Sequence, residues 1–130
     1  MKKLIVVPTE SVNEVCFGAS REEVRKEFGK KYKEMKKTPL SKNTMDAYED
    51  FHVFYSEDDK FEAIEIFGKV KVLVEDEKIF PGEKDAAMSL ASDFMEDSES
   101  YISTSKSIGF SIDSKEKIES ILFGCKKYYK

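Results

Sequence analysis

His52, Cys16 and Cys125 are the side chains of this 130-residue sequence that could do nucleophilic or general-base chemistry. A histidine base needs a nucleophile or water within reach, and in the common arrangements a carboxylate to orient it. A dyad of His52 with one of the cysteines is the small-enzyme alternative the composition leaves open. Both cysteines sit among apolar residues, where a free thiol behaves as a small hydrophobe. A structural or surface role is the favoured reading for all three. Ser103-Thr104-Ser105-Lys106 has the S-x-x-K spacing of serine acyl enzymes, but its companion motifs are absent and it lies in a serine-rich stretch. There is no phosphate-binding glycine loop. Asp93, Glu96, Asp97 and Glu99 lack the glycine and terminal glutamate of an EF-hand. No catalytic residue, metal or cofactor is expected, and the two cysteines have no metal-ligand spacing.

Charge offers a different chemistry, that of capture. The chain holds 22 basic and 26 acidic residues, a net charge of −4. Residues 21–42 hold nine of the basic residues and four of the acidic ones, which leaves 13 against 22 elsewhere. Glu57, Asp58 and Asp59 form one acidic group. Asp93, Glu96, Asp97 and Glu99 form a second, with Tyr101 beside it. A negative surface steers a basic partner and raises its on-rate, and a tyrosine among acids is a plausible anchor. These eight residues are the expected partner-binding set. The basic segment RKEFGKKYKEMKK (25–37) supports the opposite alternative, a nucleic-acid-binding module in which lysines meet phosphates and Tyr32 stacks on a base. Its interspersed glutamates and the acidic whole chain weigh against it.

The elements that must position these groups follow from periodicity. Leu4–Val7 reads as a strand ended by Pro8. Val12, Val15 and Phe17 form a second apolar stretch. Ser20-Arg-Glu-Glu23 has capping-box spacing. With Val24 and Phe28 on one face and Gly29 to close it, this predicts a helix over 21–28. Residues 30–43 read as loop. Alternation over 51–56 and 61–67 around Glu57-Asp58-Asp59 predicts a hairpin. Lys69–Glu75 predicts another strand, with Ile79-Phe80 pairing back. Ala87, Met88, Leu90, Ala91, Phe94 and Met95 recur at helical spacing and predict a second helix. DSESYISTSKS (97–107) reads as loop, and 108–112 with 117–123 as a second hairpin.

The two hairpins echo each other. Residues 51–64, FHVFYSEDDKFEAI, align without gaps on 108–121, IGFSIDSKEKIESI. Lys60 meets Lys117, Glu62 meets Glu119 and Ile64 meets Ile121. The expectation is a single α+β domain over 1–130, with pseudo-repeat halves at about 10–80 and 81–130. Each half would be a helix followed by a hairpin, the hairpins sharing one antiparallel sheet and the helices packed on one face. A dimer would form through edge strands, for which Lys69–Glu75 and the C-terminal strand are candidates. The opening MKKLIVVP is too short before its proline for a signal peptide, and a cytoplasmic protein is expected.

FGASREEVRKEFGK, FHVFYSEDDKFEAIEIFG and IESILFGCKKYY, with the length, acidity and Lys/Glu/Ile/Phe-rich build, resemble small bacterial immunity proteins of polymorphic or contact-dependent growth-inhibition toxin systems. The resemblance implies a non-catalytic toxin inhibitor that binds one cognate toxin domain. It carries over no functional residue.

Overall fold

The computed structural model describes residues 2–36, 38–40 and 42–129. Fifteen elements follow one another: β1 Lys2–Val7, β2 Ser11–Val12, β3 Val15–Cys16, α1 Arg21–Phe28, β4 Lys33–Lys36, β5 Thr44–Ala47, β6 Phe51–Tyr55, β7 Phe61–Ile66, β8 Val70–Val74, β9 Glu77–Phe80, α2 Lys84–Met88, β10 Met95–Asp97, β11 Ser100–Ser103, β12 Ile108–Ile112 and β13 Ile118–Gly124. Half of the chain is strand and a tenth is helix, in two sheets. The five-stranded sheet has the order β3-β2-β1-β8-β9, and the eight-stranded sheet β10-β11-β12-β13-β7-β6-β5-β4. The α+β arrangement of helix-then-hairpin units is therefore overturned: this is a mostly-β protein with two short helices. No helix among the described residues is long and apolar enough to cross a membrane.

The larger sheet consists of two four-stranded meanders, β4–β7 and β10–β13. They meet where β7 pairs β13 antiparallel, with Ile64 opposite Phe123 and Ile66 opposite Ile121. Both hairpins at this centre shift register at equivalent places, Phe54/Tyr55 and Ser111/Ile112. Their turns carry equivalent left-handed residues, Asp59 (φ 60°) and Glu116 (φ 61°). The residue capping each helix bridges to the matching lysine, Ser20 to Lys60 and Glu83 to Lys117. Lys60 and Lys117 are the same pair that the sequence aligns.

One face of the large sheet is apolar: Phe51, Val53, Tyr55, Ile64, Ile66, Ile108, Phe110, Ile121 and Phe123 all enter the main core. The small sheet contributes Leu4, Val6, Val12, Val70, Val72 and Val74 to that core, and the helices contribute Val24, Phe28 and Ala87. Burying one such large side chain stabilises by about 2 kcal/mol, so alternation over these strands is enough to fix which face turns inward. The small sheet is largely Val-rich β1 and β8, paired in parallel from Lys2↔Val70 to Ile5↔Leu73. Nothing local in the sequence announces that pairing.

Helix α1 follows its local code. The Ser20 hydroxyl accepts from the Glu23 amide at 3.2 Å, and Gly29, at φ 98°, donates its N–H back to Arg25. The Ser20 hydroxyl also reaches the Glu23 carboxylate, in place of a return bond from Glu23 to the Ser20 amide. The second helix does not run to Met95. It stops at Met88, and its N-cap Glu83 makes no side-chain capping bond. The competing interaction is visible at Phe94, whose ring meets Phe110 edge-on at 5.2 Å. Asp93 beside it bonds the Ser103 hydroxyl and the Ser105 amide. Together they pin this segment along the sheet, and Met95–Asp97 becomes strand.

Two further expectations are corrected. The stretch 30–43 contains β4, which pairs with β5 just beyond it, and 97–107 contains β11 and its turns. The two edge strands of the large sheet, β4 and β10, are exposed at every residue; such strands need no apolar alternation. The edges proposed for a dimer are also displaced. β8 lies between β1 and β9, and β13 between β12 and β7, so neither Lys69–Glu75 nor the C-terminal strand is an edge.

Candidate partner-binding surface

The eight acidic-set residues do not form one surface. Glu57, Asp58 and Asp59 occupy the β6–β7 turn, while the others lie on or beside β10 and β11. β10 and β7 are four strand spacings apart in the sheet, about 19 Å. The turn is also partly neutralised within the molecule, because Asp59 pairs with Arg21 at 2.7 Å.

Along β10 the residues divide by role. Tyr101 is not an exposed anchor: it is 5% exposed and stacks on Phe110 with ring centroids 5.1 Å apart. Its hydroxyl donates to Glu96 Oε2 at 3.2 Å, and Lys84 Nζ sits 4.8 Å from its ring centroid. Asp93 works inside the fold. The Ser103 hydroxyl and the Ser105 amide donate to it and hold its carboxyl below the usual range. Ser103 is thereby a satisfied polar residue on the inner face of β11, where an apolar one would be the rule. Glu96, Asp97 and Glu99 remain exposed at the edge, with Met95 72% exposed among them.

The basic segment is divided as well. Arg25 makes a two-pronged bond to Asp46, from Nε at 2.8 Å and Nη2 at 2.7 Å, and a third bond to Glu34. The Tyr55 hydroxyl donates to the same Asp46 carboxylate at 2.8 Å. Arg21 lies 3.9 Å over the Tyr55 ring and bonds Thr44 and Asp59; its Nη1 is 3.8 Å from Asp46. Asp46 itself is fully buried. The hydrogen bond from Asp46, with the charge beside it, holds the Arg25 guanidinium firmly protonated, and burial pushes the Tyr55 hydroxyl far above its usual range. This cluster has carboxylate, guanidinium and phenol but no reactive nucleophile. What it does is clamp α1 to β4, β5 and β6. Tyr32, the proposed base-stacking residue, already lies under Arg25 at 4.1 Å and against Tyr48 at 5.8 Å. The lysines Lys30, Lys31, Lys33 and Lys36 are what remains exposed at the β4 edge.

His52 and the cysteines are not brought together. His52 lies on the outer face of the large sheet, against Phe67 at 4.7 Å, and burial lowers its pKa. It stands opposite Glu65, whereas Cys125 bonds through its amide to Glu62, three residues along β7, roughly 10 Å away by strand rise. Burial raises the Cys125 thiol, which keeps it protonated. Cys16 is exposed on β3 of the other sheet. A hollow of about 480 Å³ between the small sheet and the segment just after α2 is lined by Glu10, Glu75, Glu77, Leu90 and Lys106, with no histidine or cysteine. No group of three or more His, Cys, Asp or Glu that could hold a metal occurs among the described residues.

The Asp46 cluster was beyond sequence reasoning, although Arg21 and Arg25 stand four apart on one helix face. The signal that they are paired sits 21 residues downstream of Arg25. Comparison with family models, with curated proteins and with solved structures finds no match.

Proposed function

We propose that this is a non-catalytic interaction protein, an immunity protein that binds and neutralises a basic toxin domain through the acidic edge of its large sheet. One observation carries the reading: β10 is an open edge strand bearing Glu96 and Asp97, with Glu99 in the turn after it, all exposed, beside an exposed methionine. An open edge presents unpaired backbone donors and acceptors to an extended partner segment. Acids beside it favour a partner rich in lysine and arginine. Each exposed pair contributes under about 1 kcal/mol at this distance from the core, so the charge steers and selects while backbone pairing and Met95 hold. The β6–β7 turn is a lesser contributor, with Asp59 committed to Arg21. The proposed setting is the cytoplasm, and no cofactor or metal takes part.

The test begins with the neighbouring reading frame, which should encode a larger protein ending in a toxic domain. Coexpression with the present chain should relieve that toxicity at one-to-one stoichiometry. Asp97→Lys/Glu99→Lys should slow association about tenfold or more at low salt. An on-rate unchanged by this double reversal removes the edge as the contact. Toxicity unrelieved by the wild-type chain removes the function.

A further inference from the structure

The large sheet has two open ends, and they carry opposite charge. At one end β4 exposes Lys33 and Lys36, with Lys30 and Lys31 just before them. Its acid, Glu34, is turned to Arg25 at 2.8 Å. At the other end β10 exposes Glu96 and Asp97, with Glu99 in the following turn. Each end also presents one methionine, Met35 (42% exposed) and Met95 (72%). Met35 pairs with Met45, whose side chain belongs to the small cluster on the outer face, and Met95 pairs with Ile102. Both methionines therefore lie on the outer face.

Every neighbouring pair in this sheet is antiparallel. Across eight strands, β4 and β10 thus run in opposite senses. Two copies set side by side in the same orientation bring β4 of one against β10 of the other as one more antiparallel pair. That pairing puts Lys33, at the start of β4, next to Asp97 and Glu99, at the end of β10. It also places both methionines on one side. The like-with-like alternatives, β4 with β4 or β10 with β10, oppose equal charges, which destabilises cross-strand pairs.

We propose that the basic β4 edge and the acidic β10 edge pair head to tail between copies of this chain and continue the large sheet from one molecule to the next. The inference goes beyond the toxin reading, since it concerns what occupies the acidic edge when no partner is present, and its test needs no partner. The contact is heterologous, so it grows into rings or filaments rather than stopping at a dimer. It joins four residues to three, and it is weak and salt-sensitive.

Sedimentation velocity checks it. In about 10 mM salt, where the screening length is about 30 Å, the wild-type sedimentation coefficient should rise with protein concentration. It should fall back to the monomer value in about 1 M salt, where screening acts within about 3 Å. Lys33→Glu/Lys36→Glu and Asp97→Lys/Glu99→Lys should each stay monomeric, with far-UV circular dichroism reporting the fold. An equimolar mixture of the two should associate again, because each reversed edge then meets an opposite one. Wild-type protein that is monomeric throughout, single variants that associate as wild type does, or a mixture that stays monomeric each overturn the proposal. Should a reversal variant fail to fold, Met35→Cys/Met95→Cys in a Cys16→Ser/Cys125→Ser background keeps the wild-type charges. Mild oxidation should then give a ladder of covalent oligomers, and a product without intermolecular crosslinks overturns the proposal equally.

Discussion

Asp46 shows how much a single residue can hold in this molecule. It is fully buried, and it accepts from Arg25 twice and from Tyr55 once. An ionised carboxylate in such a place persists only when paired and hydrogen-bonded. Its removal would strand two guanidinium groups against the sheet and leave the Tyr55 hydroxyl without its acceptor. Asp46→Ala should therefore lower stability by about 3 kcal/mol, read as a shift of the urea midpoint at unchanged slope. A loss below about 0.5 kcal/mol, the level of an ordinary surface substitution, would show that the cluster is replaceable by water. The contrast with Tyr101 is instructive. By sequence it stands among acids and looks exposed. Folding stacks it on Phe110, because the strand it belongs to alternates Tyr101 and Ser103 inward. Four acids around a tyrosine say nothing of where its ring points.

At the scale of elements, the chain after β13 folds back across the outer face of the large sheet. Tyr128 lies over Gly124 and Tyr129 over Gly109, at positions where a side chain would collide. A Cβ at Gly109 would come within 2.4 Å of the Tyr129 hydroxyl. Burial pushes the Tyr129 hydroxyl up to about 12. Gly109→Ala should cost roughly 1–2 kcal/mol, as overpacking does, in the wild-type background and much less once Tyr129→Ala has removed the ring. A double-mutant cycle on thermal or urea unfolding measures that coupling; equal costs in both backgrounds would mean that Tyr129 does not rest on Gly109. The glycine at 109 gives no warning of this role in sequence, because the tyrosine that needs it lies 20 residues away. Helix α1 is the opposite case. Ser20, Glu23 and Gly29 fall within ten residues, and the capping bonds they make are local.

The molecule as a whole is held together at its centre. The two meanders of the large sheet join through β7 and β13, whose inner residues Ile64, Ile66, Ile121 and Phe123 are fully buried. Hydrogen exchange should accordingly be slowest at the amides of this pair and fastest at β4 and β10, whose residues are exposed. Exchange at β10 as slow as at β13 in dilute, high-salt solution would contradict an open edge. The same architecture explains why the hairpin echo at 51–64 and 108–121 is legible while the meanders around it are not. The hairpins lie at the buried centre, where one face of each strand must be apolar, so their alternation is strong. β4, β5, β10 and β11 lie toward the rims, where solvent and satisfied polar groups such as Asp46 and Ser103 replace apolar residues.

By itself the sequence determined what short-range chemistry can enforce. It specified the capped helix, the two central hairpins, β8 with its return strand β9, and the separation of a basic stretch from acidic ones. Tertiary structure alone decided the second sheet, the truncation of α2, the edge strands and the placing of opposite charges at opposite ends of one sheet. The reason is physical. Caps, turns and alternation act over a few residues, whereas strand order, the choice of edge and the burial of a charge are settled by partners tens of residues away.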